Sequence, residues 1–298
     1  MLAALIATGA AAWPGGASAA PGGGKIVAVG AESQYADVIS QVGGEYVQAS
    51  AIMSNPNTDP HTFEASIAVA RQVGNAQLVV QNGLGYDAFM DSIESATPAS
   101  GRRVINVQHL LKLPDSTPNP HLWYDPTTMP RVADAVAASL SAIQPAHRAY
   151  FEANAAAFTA SLDRLTAAIA SFRSAYAGVP VATTEPVADY LLTAAGADNL
   201  TPWTFQADIM NGVDPSPQNV AVQRALFTGH KVRVFVYNQQ VTDTLTQSFI
   251  TLAEQNHIPV VGVYETMPEP GYDYQTWMLT ELQDLRKAVA SNTSSDHL

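Results

Sequence analysis

Two histidines sit directly after prolines in similar polar loops. His61 lies in Asn57-Thr58-Asp59-Pro60-His61-Thr62-Phe63-Glu64, and His121 in Asn119-Pro120-His121-Leu122-Trp123-Tyr124-Asp125-Pro126. Each follows a proline that cannot continue a sheet or helix, and each precedes an expected helix start. The two imidazoles are therefore expected on loops at strand ends, the face where α/β sheets bind ligands. Alone, either would be an ordinary capping or surface histidine; two such loops in one half of the chain point to a shared site. In the second half, Thr183-Thr184-Glu185-Pro186 and Val263-Tyr264-Glu265-Thr266 each put an acid at the carboxyl end of an expected strand. One such acid is usually an N-cap or a solvated loop charge, but two at equivalent ends of parallel strands converge on the ligand crevice. Two neutral imidazoles and two carboxylates supply four ligands and enough negative charge for a divalent ion. The remaining histidines, His109, His147, His230, His257 and His297, have no partner at ligand spacing and read as structural.

The elements that must position these residues alternate between strand and helix. Residues 25–29, 76–81 and 103–107 read as strands, with helices over 35–42, 65–73 and 86–94. The second half repeats the alternation, with strands at 179–183, 232–237 and 259–264 and helices at 187–195, 218–227, 242–255 and about 274–290; the tail from 291 is expected to fray. Such alternation indicates parallel β-α-β units. A weak internal duplication is also visible: Asp59-Pro60 leads through a helix to Asn82, and Asp214-Pro215 through a similar one to Asn238, at separations of 23 and 24 residues.

Between the halves, residues 147–177 contain no Gly or Pro. Phe151, Phe158, Leu162, Leu165, Ile169, Phe172 and Tyr176 form one apolar stripe at helical spacing. At about 1.5 Å per residue this predicts one helical rod of roughly 45 Å, stopped at Gly178 and able to tie two lobes together. The expected fold is thus α/β, two Rossmann-like lobes with parallel sheets joined by one long backbone helix. The expected division is 25–146 for the first lobe, 147–177 for the helix and 178–298 for the second lobe.

Composition narrows the partners. The 298 residues are 47% apolar and carry a net charge of −12, which repels phosphate backbones, so nucleic acid is not an expected partner. There is no cysteine, so disulfides, thiolate ligands and a cysteine-linked lipid anchor within this sequence are excluded. Met1 to Ala12 form an apolar run too short to span a bilayer, followed by Ala17-Ser18-Ala19. Residues 1–24 are expected to be a signal peptide and flexible leader, although no basic residue precedes the apolar core. The expected product is a secreted, soluble protein in the periplasm or outside the cell.

The sequence from 25 to 290 resembles the metal-receptor family of solute-binding proteins of ABC importers, specific for manganese or zinc. The resemblance is carried by Asp59-Pro60-His61-x-x-Glu64, Asn119-Pro120-His121-Leu122-Trp123-x-Asp125-Pro126, the long helix, and Thr184-Glu185 followed by a helix. It implies one metal ion at the lobe interface, held by His61 and His121 from the first lobe and Glu185 and Glu265 from the second. It also implies an ABC importer membrane permease as partner, action as a monomer, and no catalytic residues. The family commonly has Asp at the position of Glu265, and Asp273 or Glu269 are alternatives for that ligand. Zinc members usually carry a third histidine near the position of Glu185 and often a His-rich acidic loop before the second Pro-His; residues 112–117 contain no histidine. Two nitrogens with two carboxylates suit a harder ion than a three-histidine site, which favours Mn²⁺ over Zn²⁺ as cargo, although zinc binds nearly any such site more tightly. Trp123, Tyr124, Trp203 and Phe205 either wall the site or fill the interface.

Other classes make different demands. A zinc-dependent secreted hydrolase needs an open coordination position for water, and no His-Glu-x-x-His, Gly-x-Ser-x-Gly or Walker loop is present. A metal-stabilised adhesin would hold its ion, whereas a transport receptor must release it. A receptor for a metal chelate needs an open cleft lined by Arg or aromatics, and beside the Pro-His motifs only Arg131 is available.

Overall fold

The computed structural model describes residues 24–57, 60–268 and 271–298; the proposed signal segment lies almost wholly outside them, as do Asp59 and Glu269. The first half runs β1 (Ile26–Glu32), α1 (Ser33–Gly43), β2 (Val47–Met53), α2 (Ile67–Gly74), β3 (Leu78–Gln81), α3 (Phe89–Ala96), β4 (Arg103–Asn106), α4 (Val107–Leu111) and α5 (Thr128–Ile143). Its four strands are all parallel, in the order β2-β1-β3-β4. β1 and β3 are almost wholly buried apolar runs, the pattern of strands covered by helices on both faces. At Gly30 a Cβ would run into the backbone nitrogen of Ala36, so this glycine is what lets α1 start directly on the end of β1.

The second half continues through α6 (Arg148–Ser161), α7 (Asp163–Tyr176), β5 (Pro180–Thr183), α8 (Asp189–Ala195), β6 (Asp198–Asn199), α9 (Trp203–Met210), α10 (Pro217–Thr228), β7 (Val234–Asn238), α11 (Thr244–Gln255), β8 (Val260–Val263) and α12 (Tyr274–Ser291). Its parallel sheet has the order β6-β5-β7-β8, so both sheets arrange their strands second, first, third, fourth in chain order. The repeated order agrees with the duplication read from Asn82 and Asn238. β2, α4, α5, β6 and α9 had not been singled out in the sequence.

Two expectations need correction. The linking segment is helical from Arg148 to Tyr176 but is jointed, α6 giving way to α7 at Leu162. There the Ser161 hydroxyl donates to Phe158 O (2.6 Å) and Leu162 N bonds back only three residues, to Thr159 O (3.1 Å). A side chain that competes for a helix carbonyl loosens the ladder locally, which apolar spacing alone does not reveal. The carboxyl-terminal tail is not frayed either. Ser295 pairs with Val261 in a parallel bridge, with Gly262 N donating to Ser295 O and Ser295 N to Val260 O, each at 2.9 Å, so the tail covers the free edge of β8.

The core is shared between the lobes. One buried apolar cluster runs from Ile26 and Val38 through Trp123 and Phe158 to Trp277 and Leu285, while a smaller one around Phe205, Phe227, Phe235 and Phe249 belongs to the second lobe alone. α12 crosses back to the first lobe: Tyr274 N donates to Asp37 Oδ2 (3.0 Å) and the Tyr274 hydroxyl to Trp123 O (2.7 Å).

Beneath this crossing, Glu281 is buried on α12. Trp277 Nε1 (2.7 Å) and Tyr264 N (3.2 Å) donate to its Oε1, and the Tyr124 oxygen lies 2.8 Å from Oε2 and 2.7 Å from Tyr264 O. A phenol has one proton, so Tyr124 can donate to only one of these acceptors. The contacts close when protonated Glu281 donates to Tyr124 and Tyr124 donates to Tyr264 O. Burial accordingly pushes the Glu281 carboxyl up to about 8; the donors that would face an ionised Glu281, Tyr124, Trp277 and Tyr264 N, oppose the rise and Asp284 adds to it. The folded state thus keeps a proton that the unfolded chain gives up above 4.5, so stability falls as pH rises from about 4.5 to about 8. Glu281→Gln, which retains a donor towards Tyr124, should gain on wild type across this window by up to roughly 1.4 kcal/mol per pH unit. Unfolding of both proteins at pH 5 and pH 8 measures this; a constant difference would show that Glu281 is ionised in the fold.

Candidate metal centre

His61 stands on a 3₁₀ turn, Pro60–Thr62, on the segment leaving β2, held by Phe63 N donating to Pro60 O at 3.1 Å. Its side chain is 22% exposed. His121 is fully buried and starts the 3₁₀ turn Leu122–Tyr124. Asn119 Oδ1 accepts from His121 N (3.0 Å) and lies 2.8 Å from His121 Nδ1. Because that oxygen can only accept, Nδ1 carries the proton and Nε2 presents its lone pair. Asn119 also reaches the other lobe, its Nδ2 donating to Pro186 O at 2.8 Å, beside Glu185. Burial lowers the His121 pKa, Glu265 opposing and His61 assisting, which favours the neutral imidazole, the form that ligates metal.

Glu265 follows β8 and is 0% exposed. Gln240 Oε1 fixes its backbone by accepting from Glu265 N (2.6 Å) and Thr266 N (2.8 Å), and Gln34 Nε2 donates to Glu265 O across the lobes (3.3 Å). On its carboxylate, Oε2 accepts from the Tyr86 hydroxyl (2.8 Å) and lies 3.2 Å from Nε2 of both His61 and His121, while Oε1 accepts from Asn238 Nδ2 (2.6 Å). Burial alone would raise its pKa; where His121 and His61 carry a proton on Nε2, their hydrogen bonds and charge outweigh burial and hold it well below the usual carboxylate range. Tyr86 reaches the site because Gly83, Leu84 and Gly85 all adopt positive φ after β3. Asp87 locks that turn by accepting from Asn82 N (2.6 Å) and Gly83 N (2.9 Å).

His61, His121 and Glu265 therefore converge, each offering one ligand atom within 4.8 Å of the others. Glu185, which follows β5 and is 3% exposed, is outside that group and joined to it through Asn238, whose Nδ2 lies 3.3 Å from Glu185 Oε2. Among the alternatives, Asp273 is committed to capping α12, accepting from Thr276 N at 2.8 Å. Among the described residues no other His, Asp and Glu cluster of this kind occurs; His147, for instance, stacks on Tyr46 with ring centroids 3.8 Å apart. At 3.2 Å the His121 Nε2 and Glu265 Oε2 are bridged by a proton, and when the imidazole is neutral a cation between them satisfies both. The donor set fits a divalent transition metal.

The aromatic residues divide. Trp123 packs edge-on against His121 (5.4 Å) and Tyr86 (5.1 Å), walling the site. Tyr124 serves Glu281, and Phe205 fills the core of the second lobe. Trp203, 39% exposed, lines a cavity of about 370 Å³ that reaches His61 and Tyr86. Sequence reasoning missed Tyr86, Gln34 and Gln240 altogether and noticed Asn238 only as the end of a repeat. Its place at the end of a strand between the two acid-bearing strands was the available signal.

Two parallel-sheet lobes with an imidazole and carboxylate cluster at their seam are the arrangement of a metal-receptor solute-binding protein. The chain belongs to the family described as zinc-uptake complex component A, periplasmic, whose profile matches residues 29–288. It is 28% identical over 139 residues to the manganese-binding lipoprotein MntA of Bacillus subtilis (strain 168), covering 45% of each chain, and 28% identical over 149 residues to the zinc-binding protein TroA of Treponema pallidum (strain Nichols), covering 48% of each. The aligned part thus spans about half the length of these relatives. Among solved structures, the periplasmic zinc-binding protein TroA from Treponema pallidum superimposes with a TM-score of 0.75 at 19% identity, covering 91% of this chain and all of that one. A Mn-bound mutant of the periplasmic metal-binding protein from Candidatus Liberibacter asiaticus gives 0.71 at 18% identity, covering 89% of this chain and all of that one.

Asn119 sets both the tautomer and the orientation of His121. Asn119→Ala should weaken metal binding by about 10- to 100-fold, the scale for outer partners of ligating histidines, with the fold retained; chelator competition measures it, and unchanged affinity would show that Nδ1 needs no partner.

Proposed function

We propose that this chain is the receptor of an ABC importer, capturing one divalent transition-metal ion at the lobe interface and delivering it to the membrane permease. The observation that carries this reading is the convergence of His61, partly exposed, and buried His121 from one lobe with buried Glu265 from the other. Glu185, tied to Glu265 by Asn238, is the fourth ligand in this reading. The lobes are taken as 25–146 and 178–298, linked by 147–177. The first supplies two neutral donors and the second two negative ones, so the ion completes a site that neither lobe forms alone, and binding stabilises the closed arrangement by linkage.

Manganese is the favoured cargo over zinc, because two carboxylates make a harder donor set than three imidazoles. The relatives named above include a manganese binder and a zinc binder, and support either ion. The reading places the protein in the periplasm or outside the cell, exported through residues 1–24 and acting as a monomer. Among the described residues no helix is long and apolar enough to cross a membrane. No catalytic step is assigned: the cluster serves binding and release.

Calorimetric titration of the metal-free protein with Mn²⁺ and, separately, Zn²⁺ tests this. One tight site is expected in wild type and none in His61→Ala/His121→Ala; binding that survives the double substitution would sink the site. Binding should also weaken on acidification as protons compete for the imidazoles. Because burial lowers the His121 pKa, that loss should set in below the ordinary imidazole value of about 6.5. Affinity measured from pH 7.5 to 5 checks the direction, and a loss complete above 6.5 would contradict a neutral, buried His121.

A further inference from the structure

The two asparagines that mark the internal repeat occupy matching places, Asn82 directly after β3 and Asn238 at the end of β7, the third strand of each sheet. Both are buried. Asn82 holds main chain: its Nδ2 donates to Pro120 O (2.9 Å) and Gly83 O (3.0 Å), and its Oδ1 accepts from the Tyr35 hydroxyl (2.7 Å). Asn238 instead holds the side chains of two candidate ligands. Its Oδ1 accepts from Gln240 N (2.9 Å), which fixes the amide orientation, and its Nδ2 faces Glu265 Oε1 (2.6 Å) and Glu185 Oε2 (3.3 Å). The topology produces this contact, because β7 lies between β5, which leads to Glu185, and β8, which leads to Glu265.

A carboxylate can give a metal one oxygen or two, and its terminal torsion is soft unless something fixes it. In Glu265 both ends are fixed, with Oε1 on the Asn238 amide within its own lobe and Oε2 accepting from the Tyr86 hydroxyl while its other side faces the imidazoles. The same amide engages one oxygen of Glu185. An oxygen that already accepts an N–H is a poorer second donor, so each acid is steered towards one-oxygen ligation. Two nitrogens and two single oxygens make four donors, the number tetrahedral zinc takes, whereas manganese suits octahedral, oxygen-rich shells.

We infer that Asn238 is the specificity-determining positioning residue of this site: by taking one oxygen from each acid it limits the donor number and so sets the ratio of zinc to manganese affinity. The inference rests on the metal-site reading above. Donor hardness and donor number then pull in opposite directions, the two carboxylates favouring manganese and the amide favouring zinc.

The test uses the whole chain as wild type, Asn238→Leu and Asn82→Leu. Mn²⁺ and Zn²⁺ affinities are measured separately by calorimetry with chelator competition, and oxygen neighbours are counted by X-ray absorption at each metal's edge. Asn238→Leu should lower the zinc-to-manganese affinity ratio by about tenfold or more, the scale of outer-shell effects, with more oxygen neighbours on manganese. Asn82→Leu, which loosens the His121 loop and the Gly83 turn but takes no hydrogen bond from either acid, should weaken both ions together and leave the ratio in place. A smaller change of ratio in Asn238→Leu, or an equal change in Asn82→Leu, overturns the inference. Asn238→Ala removes the same two N–H groups and carries the same expectation if leucine is not accommodated. Loss of the ratio effect with the wild-type site intact removes this inference alone. A wild type without a site dependent on His61 and His121 removes both readings.

Discussion

Glu265 holds its charge in a place where water does not reach. An ionised carboxylate removed from solvent is costly unless every lone pair finds a partner, and here the partners come from both lobes. Tyr86, His61 and His121 approach from the first, and Asn238 donates from the second. The peptide around it is satisfied in the same divided way, by Gln240 from its own lobe and Gln34 from the other. The seam between the lobes is thus organised around a negative charge, and the elements near it are arranged to solvate that charge with protein dipoles.

The rest of the architecture answers to this requirement. Parallel strands direct their carboxyl ends to one face, so loops from β2, β3, β5, β7 and β8 arrive at one place without long excursions. The turn at Gly83, Leu84 and Gly85, braced by the buried Asp87, leads into Tyr86, whose hydroxyl donates to Glu265. The crossing of α12 onto the first lobe, with Tyr274 bonded to Asp37 and Trp123, gives the seam an apolar floor continuous with both cores. A shared core of this kind leaves less freedom between lobes than a linker would, even though the linking helix is jointed at Leu162.

How much of this was legible in the sequence depends on how local each signal is. Pro60-His61 and Pro120-His121 carry their loop geometry in adjacent residues, and the acids at 185 and 265 follow runs of strand-forming residues, so their places on loops at strand ends could be read directly, whereas the gap between Glu185 and the other three could not. Glu265 stands where the family commonly has Asp, yet it is as fully enclosed as His121. Its enclosure comes from Tyr86, 179 positions away, and Asn238, 27 positions away, which no local pattern announces. The joint in the helix turns on which carbonyl a serine hydroxyl selects, and the ordered tail on the free edge of β8; both are tertiary choices that propensity and periodicity do not encode.

Charge matching gives the divided site its logic. The first lobe contributes imidazoles, and burial keeps His121 neutral, so that half of the site brings donors without charge. The second contributes carboxylates, of which Glu265 accepts from the Tyr86 hydroxyl and the Asn238 amide. Two such carboxylates balance a dication, whereas a proton on either imidazole balances only half of that charge and removes a donor as it does so. Neutrality in a water-excluded space therefore favours a divalent ion over a proton or an alkali cation before any question of coordination geometry arises. On the proposed ligand set, geometry then has only to choose among dications.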